Sequence, residues 1–361
     1  MLKPRPAIVN VPAYHPPLAG RNGLRLDFNE NTAGCSPRVL ARLQQLTADD
    51  LARYPEREPV EAQVAELLGI GAAQLLLTNG VDEAIHLLCQ AYLEPGDEAF
   101  IVVPTYSMYR IYMMSAGATV IALPTRPHFE FPATELQNRI TPKTRLVAIA
   151  NPNNPTGAVV SAAQLLSIIR SAPHAAILID EAYFEFYGQT LLQHCCEFPN
   201  LFIARTFSKA HGLAGLRAGI LAGHPDQMRF VRLAASPYNL NAVALACLSE
   251  ALADRCYIDQ YVAEVRDSRE LLQQFFAANG IQFWPSHANF VLARVGATKE
   301  TAAAFVDQMR QQGILVRDRS ADHACEGCVR ITLGPRKHFD KLLPALQQVL
   351  ANQSLTQGAS R

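Results

Sequence analysis

Between Leu75 and Gly223 the chain repeats one device: a short apolar run, a turn, then a helical pattern. The runs are LLLT (75–78), AFIVV (99–103), ATVIAL (118–123), LVAIA (146–150), AILID (176–180), LFIAR (201–205) and GILA (219–222). Within each run consecutive residues are apolar, without the in–out alternation of a half-solvated strand, so both faces must be covered. The stretch Val81–Leu93 between the first two runs places Ile85, Leu88 and Tyr92 on one helical face. Covered strands alternating with helices predict an α/β lobe built on a mostly parallel sheet with helices on both faces.

The pattern changes after Asn239. A long helical stretch reaches about Ala278, followed by strands at 290–293, 314–317 and 329–333 and helices at 299–312 and 337–351. This reads as a smaller α+β lobe, and 361 residues are more than one core usually organises. The expected division is a large domain over 47–240 and a small domain from 1–46 plus 241–361, with the N-terminal segment and its Ser36-Pro37 helix start packed on the small one. The tail after Leu350 (ANQSLTQGASR) is expected to be disordered.

Thirty-two basic residues balance thirty-two acidic ones, so no net field attracts nucleic acid or an anionic membrane, and a small-molecule partner is expected. No run of eighteen apolar residues could span a bilayer, and the proline-broken N-terminus has no signal-peptide core. The expected location is the cytosol. Of eight cysteines, only Cys325 and Cys328 have metal or redox spacing; a single pair completes no zinc site, so free thiols and no metal are expected.

Five segments carry chemistry, most of them at strand ends or helix starts, where open α/β sheets place ligands. TNGVDEAI (78–85) turns from strand to helix, either binding a phosphate on free N–H groups or simply placing Asp82 and Glu83 on the helix dipole. NPNNPTG (151–157) is a rigid loop in which Asn154 offers an amide to a ligand or caps a turn. In IDEAYFEF (179–186), Asp180 ends an apolar strand; its carboxylate needs a cationic ring nitrogen, an arginine or a helix start, and Tyr183 follows three residues on. RTFSKAHGLAGLRAG (205–219) sets Ser208, Lys209 and Arg217 among small and apolar residues, which suits an anion site with a reactive amine. Arg317 and Arg330 each lie in an apolar strand and call for an anionic substrate or a structural ion pair, for example with Asp318.

Together these segments resemble the fold-type-I pyridoxal-phosphate aminotransferases, from FNEN (28–31) through RYPE (53–56) to RITLG (330–334). Within them the chain is most similar to the histidinol-phosphate aminotransferase group, through GVDEAI, PTYSMY (104–109), NPNNPTG, DEAYFEF, TFSKAHGLAGLRAG and PSHANFVL (285–292). The resemblance implies that Lys209 carries pyridoxal phosphate and moves the substrate proton. It implies that Asp180 pairs with the pyridine nitrogen, that Tyr183 and Asn154 bond the ring's phenolic oxygen, and that Tyr106 stacks on the ring. The phosphate would be held by the N–H groups of Val81 and Asp82 with Thr206, Ser208 and Arg217. Tyr54 would reach it from a second subunit, making a homodimer with shared active sites. Arg330 and Arg317 would hold the two carboxylates of glutamate and clamp a phosphate monoester in the other half-reaction; Tyr14 and Asn154 would add substrate contacts. Two departures from the family pattern are Thr32, where a proline is frequent, and Val81, where a serine is frequent.

The implied activity is amino transfer between L-histidinol phosphate and 2-oxoglutarate/glutamate, as a step of histidine biosynthesis. The alternatives are an aromatic amino acid (phenylalanine or tyrosine) aminotransferase, a decarboxylase of a phosphorylated amino acid, and a cofactor-binding regulator without turnover, against which stands the lack of any basic DNA-reading segment.

Overall fold

The computed structural model describes residues 2–358. Its strands, in chain order, are β1 (Leu24–Arg25), β2 (Leu75–Thr78), β3 (Glu98–Val103), β4 (Thr119–Pro124), β5 (Thr144–Ala150), β6 (Ala176–Asp180), β7 (Leu201–Thr206), β8 (Gly219–Gly223), β9 (Gln282–Phe283), β10 (Phe290–Arg294), β11 (Ile314–Leu315), β12 (Arg317–Asp318) and β13 (Cys328–Thr332). Seven of them form one sheet in the order β2-β8-β7-β6-β5-β3-β4. Every pairing in it is parallel except the two made by β8.

The apolar runs are covered on both faces because successive side chains point opposite ways. Ala176 and Leu178 of β6 enter one core with Leu88, Tyr109 and Met113, while Ile177 and Ile179 enter the other with Leu165 and Ile168. Each fully buried Leu or Ile contributes about 1.5–3 kcal/mol, so this two-sided burial holds the strand ends, and the loops that leave them, in fixed positions.

The small lobe has its own sheet, β12-β13-β10-β9, and its own core, in which Phe290, Val291 and Ile331 meet Val265, Leu272 and Phe276 of the long helix Arg255–Ala278. The expected single strand over 314–317 is two. β11 pairs in parallel with β1, whereas β12 pairs antiparallel with β13. The N-terminal segment joins this lobe through that β1 pairing and through Leu26, buried in its core. The helix Pro37–Gln44 instead packs on Ala242–Ala253, which shares a core with β2 and β8. Disorder after Leu350 is not what is found: the helix that begins at Phe339 continues to Gly358, since no glycine or proline interrupts that stretch. Residues 359–361 lie outside the described part.

All eight cysteines are free thiols. Among the described residues no cluster of side chains could hold a metal ion, and no helix is long and apolar enough to cross a membrane.

Candidate active site

The carboxyl ends of β2, β3, β5, β6 and β7 open on one cavity. Val81, Asp82, Tyr106, Asn154, Asp180, Tyr183, Thr206, Ser208, Lys209 and Arg217 line it, every residue expected around the cofactor except Tyr54.

At one end the helix Gly80–Tyr92 begins. Its preceding residue, Asn79, places no side-chain oxygen on the first turn, so the N–H groups there stay free for a ligand. Arg217 crosses to this turn in a left-handed backbone conformation (φ 56°), and its Nη2 donates to Asp82 Oδ2 at 3.0 Å. Gly80 is required here: a Cβ would come within 2.6 Å of Arg217 Nη2, at a φ of +72° that side chains disfavour. The hydroxyl of Ser208 is buried and has no hydrogen-bond partner. A free helix start, an arginine and an orphaned buried hydroxyl fit a phosphate group.

Asp180 also lines the cavity and is 4% exposed. Burial pushes its carboxyl up to about 6, against the opposing donations of Tyr109 and the Ala182 N–H. Tyr109 Oη donates to Oδ2 at 2.5 Å and Ala182 N to Oδ1 at 3.0 Å. A buried carboxylate of this kind suits a cationic ring nitrogen. Its neighbour Glu181 turns away and pairs with Arg205 in the core at 2.9 Å, tying the loop after β6 to β7.

Lys209 follows β7 and donates from Nζ to the Phe28 carbonyl at 3.0 Å. Burial first, then the nearby Arg330 cation, lower its pKa to about 8, so a neutral, nucleophilic amine is accessible near neutral pH. Tyr183 Oη accepts from Asn29 Nδ2 at 2.9 Å, which leaves its own proton free to donate into the cavity. Asn154 gives its Oδ1 to Arg330 Nη1, which leaves its amide N–H groups for a ligand oxygen.

Arg330 is buried beside the cavity and joined to it through Asn154; it also donates from Nη2 to the Asp27 carbonyl at 2.7 Å, and its buried Nε has no partner. Burial lowers its pKa to about 9. Arg317 stands directly opposite it across the β12–β13 pairing, with its guanidinium 5.1 Å from the centre of the Phe28 ring. The ion pair with Asp318 does not form: that carboxylate accepts from Ser320. Opposed like charges are costly unless an anion joins them.

Two expected site residues lie apart. Tyr54 is 77% exposed and stacks on Tyr238, with ring centres 4.3 Å apart. Tyr14 is 42% exposed, yet near enough to Tyr106 to be the smallest of the charge interactions that, after burial and Asp82, raise the Tyr106 phenol. Sequence reasoning missed Tyr109, Asn29 and the Phe28 carbonyl. FNEN, at 28–31, is a signal for Asn29.

Fold and site together define a fold-type-I enzyme, with a lysine, a phosphate cradle and a buried carboxylate grouped at the ends of parallel strands. The chain belongs to the aminotransferase class I and II family, whose model matches residues 21–346. It is 35% identical over 354 residues to the histidinol-phosphate aminotransferase of Roseobacter denitrificans, covering 95% of this chain and 97% of that one. It is 34% identical over 331 residues to that of Caldanaerobacter subterraneus subsp. tengcongensis, covering 91% and 93%. Among solved structures it resembles the Sinorhizobium meliloti histidinol-phosphate aminotransferase in complex with pyridoxal-5'-phosphate, with a TM-score of 0.88 and 25% identity over 98% of this chain and 99% of that one. The protein is an aminotransferase acting on small molecules.

Proposed function

We propose that this enzyme moves an amino group between L-histidinol phosphate and 2-oxoglutarate, using pyridoxal phosphate carried on Lys209. The observation that carries the substrate reading is the opposed pair Arg317 and Arg330 beside Asn154, with a buried Arg330 Nε that has no protein partner. Guanidinium forks match a phosphate and a carboxylate equally in geometry, so one pair serves both half-reactions.

The residues fit the cofactor. Ser208, Thr206, Arg217 and the first turn at Val81 and Asp82 would hold its phosphate, and Asp180 would pair with its ring nitrogen. Tyr183 and Asn154 would donate to its phenolic oxygen, and Tyr106, which lines the same cavity, would lie against its ring. When bound, the cofactor supplies a carbon that accepts the amino group and a ring that takes up the electron pair left at the substrate carbon. Lys209 takes the proton from that carbon with its neutral Nζ. Arg330 and Arg317 fix the substrate's anionic end, so that the carbon meets Nζ and not water.

The test is turnover with 2-oxoglutarate, comparing L-histidinol phosphate and phenylalanine as amino donors. Preference for histidinol phosphate is expected; preference for phenylalanine would make this an aromatic aminotransferase on the same scaffold. Arg330→Lys keeps the charge but loses the fork. It is expected to raise KM for histidinol phosphate about ten- to hundredfold, the worth of one charge-assisted hydrogen bond; an unchanged KM would remove Arg330 from the substrate site.

The exposure of Tyr54 supports a homodimer in which this phenol completes the partner's phosphate site. We further propose a cytosolic location and a large domain over 47–240 that the helices Pro37–Gln44 and Ala242–Ala253 join, with the rest of 1–46 and 241–361 as the small one. Shared sites make a distinct prediction. Mixing inactive Lys209→Ala with weakened Tyr54→Ala subunits yields heterodimers with one doubly damaged and one intact site, so activity rises above the sum of the two. Strict additivity after subunit exchange would exclude sharing.

A further inference from the structure

Tyr109 is fully buried and its hydroxyl lies 2.5 Å from Asp180 Oδ2. Its ring also meets Tyr106 edge-on, with centres 5.6 Å apart. A buried phenol needs a partner, and any backbone carbonyl would serve it. The carboxylate has the greater need, because an ionised group in the core is far more expensive than a neutral one. The Ala182 N–H is its only other donor among the described residues.

We infer that Tyr109 is a positioning residue for the reaction: its hydroxyl keeps Asp180 ionised and aimed into the cavity. The inference rests on the cofactor reading above and deepens it. The groups facing Asp180 are Tyr109 from the helix Ser107–Ala116 after β3 and Tyr106 just before it, Asp82 from the helix after β2, and Glu181 and Tyr183 from its own loop. Asp82 and Glu181 disfavour its charge, and burial disfavours it most. Tyr109 is the side-chain donor opposing them, so its loss moves Asp180 toward the protonated form at neutral pH. A protonated Asp180 no longer offers a charge to the ring nitrogen. Tyr106, held by Asp82 at 2.8 Å and by the Tyr109 ring, keeps its place in either case.

The experiment is binding of 4-deoxypyridoxine 5'-phosphate, which cannot link to Lys209, to the ligand-free wild type and Tyr109→Phe between pH 5 and 9. Affinity of the wild type is expected to fall as pH drops through about 6. In Tyr109→Phe the same fall is expected about one to two pH units higher, the equivalent of a hydrogen bond to a charged group. At pH 7 this is a loss of affinity of about two- to tenfold that recovers toward pH 9. A loss that is equal at every pH would mean that Tyr109 only fills space and would overturn the inference, as would superposable profiles. Absence of any binding of pyridoxal phosphate by the wild type would instead overturn the cofactor reading, and the inference with it. Asp180→Asn supplies a control: any fall that remains in it comes from the probe's own phosphate, which takes up its second proton at about pH 6, and adding Tyr109→Phe is expected to leave that profile where it is.

Discussion

Lys209→Ala is expected to lower turnover by at least about a thousandfold, within the range that a positioned acid–base group supplies, and to abolish the visible absorbance of the lysine-bound cofactor. The loss is specific to the amine. The phosphate cradle at Val81, Asp82, Ser208 and Arg217 does not touch the Lys209 side chain, so non-covalent binding of pyridoxal phosphate should persist. The pH dependence of cofactor attachment follows from the lowered pKa of about 8, caused first by burial and then by Arg330. Only the neutral amine attacks. The attachment rate of ligand-free wild type is therefore expected to rise about tenfold per pH unit below 8 and to level off above it. A rate still climbing steeply toward pH 10 would mean that Lys209 titrates like a solvated lysine. Normal turnover in Lys209→Ala would remove the lysine from the mechanism altogether.

The sheet was legible because its strands are apolar at successive positions, a pattern that burial on two faces produces and a solvated strand does not. The site was legible for a related reason. Asp180, Asn154, Ser208 and Lys209 are polar residues at the ends of such runs, where the sheet must leave them together. The same logic fails where a partner, not a pattern, decides. Residues 314–317 are uniformly apolar up to Arg317, and nothing in that run reveals that Ile314–Leu315 will pair with a distant N-terminal strand and Arg317–Asp318 with β13. Tyr109 sits on a helix face with Met113, where it reads as one more core residue; only the tertiary approach of β6 gives its hydroxyl a carboxylate. The Phe28 carbonyl that receives Lys209 is a backbone atom and carries no side-chain signal at all. Tyr54 is the opposite case, since a single chain shows it stacked on Tyr238 at the surface, outside the cavity.

Replacing Asp180 separates function from stability. Removing one partner of a buried charge pair costs about 3–5 kcal/mol, so Asp180→Asn should lose roughly two to four orders of magnitude in turnover while retaining phosphate-anchored cofactor binding. The fold should respond the other way. Asp180 has its carboxyl raised from an ordinary 3.8 to about 6 by burial, so the native state holds its proton more tightly than the unfolded chain does. For a carboxyl raised in this sense the cost is absent below the unfolded value and complete above about 6, where it destabilises the ligand-free protein by up to about 3 kcal/mol. Asparagine removes that charge while keeping the volume: its oxygen accepts from the Ala182 N–H, and its amide donates to the Tyr109 hydroxyl oxygen. At pH 8 the ligand-free Asp180→Asn protein is therefore expected to melt no lower than the wild type, and at pH 4 the two should converge. Thermal unfolding at both pH values, set beside single-turnover rates, checks the argument. A variant that is nearly as fast as the wild type would show that Asp180 does not face the ring nitrogen; one that is slow but also much less stable at pH 8 would show that its carboxylate serves the fold and not the reaction.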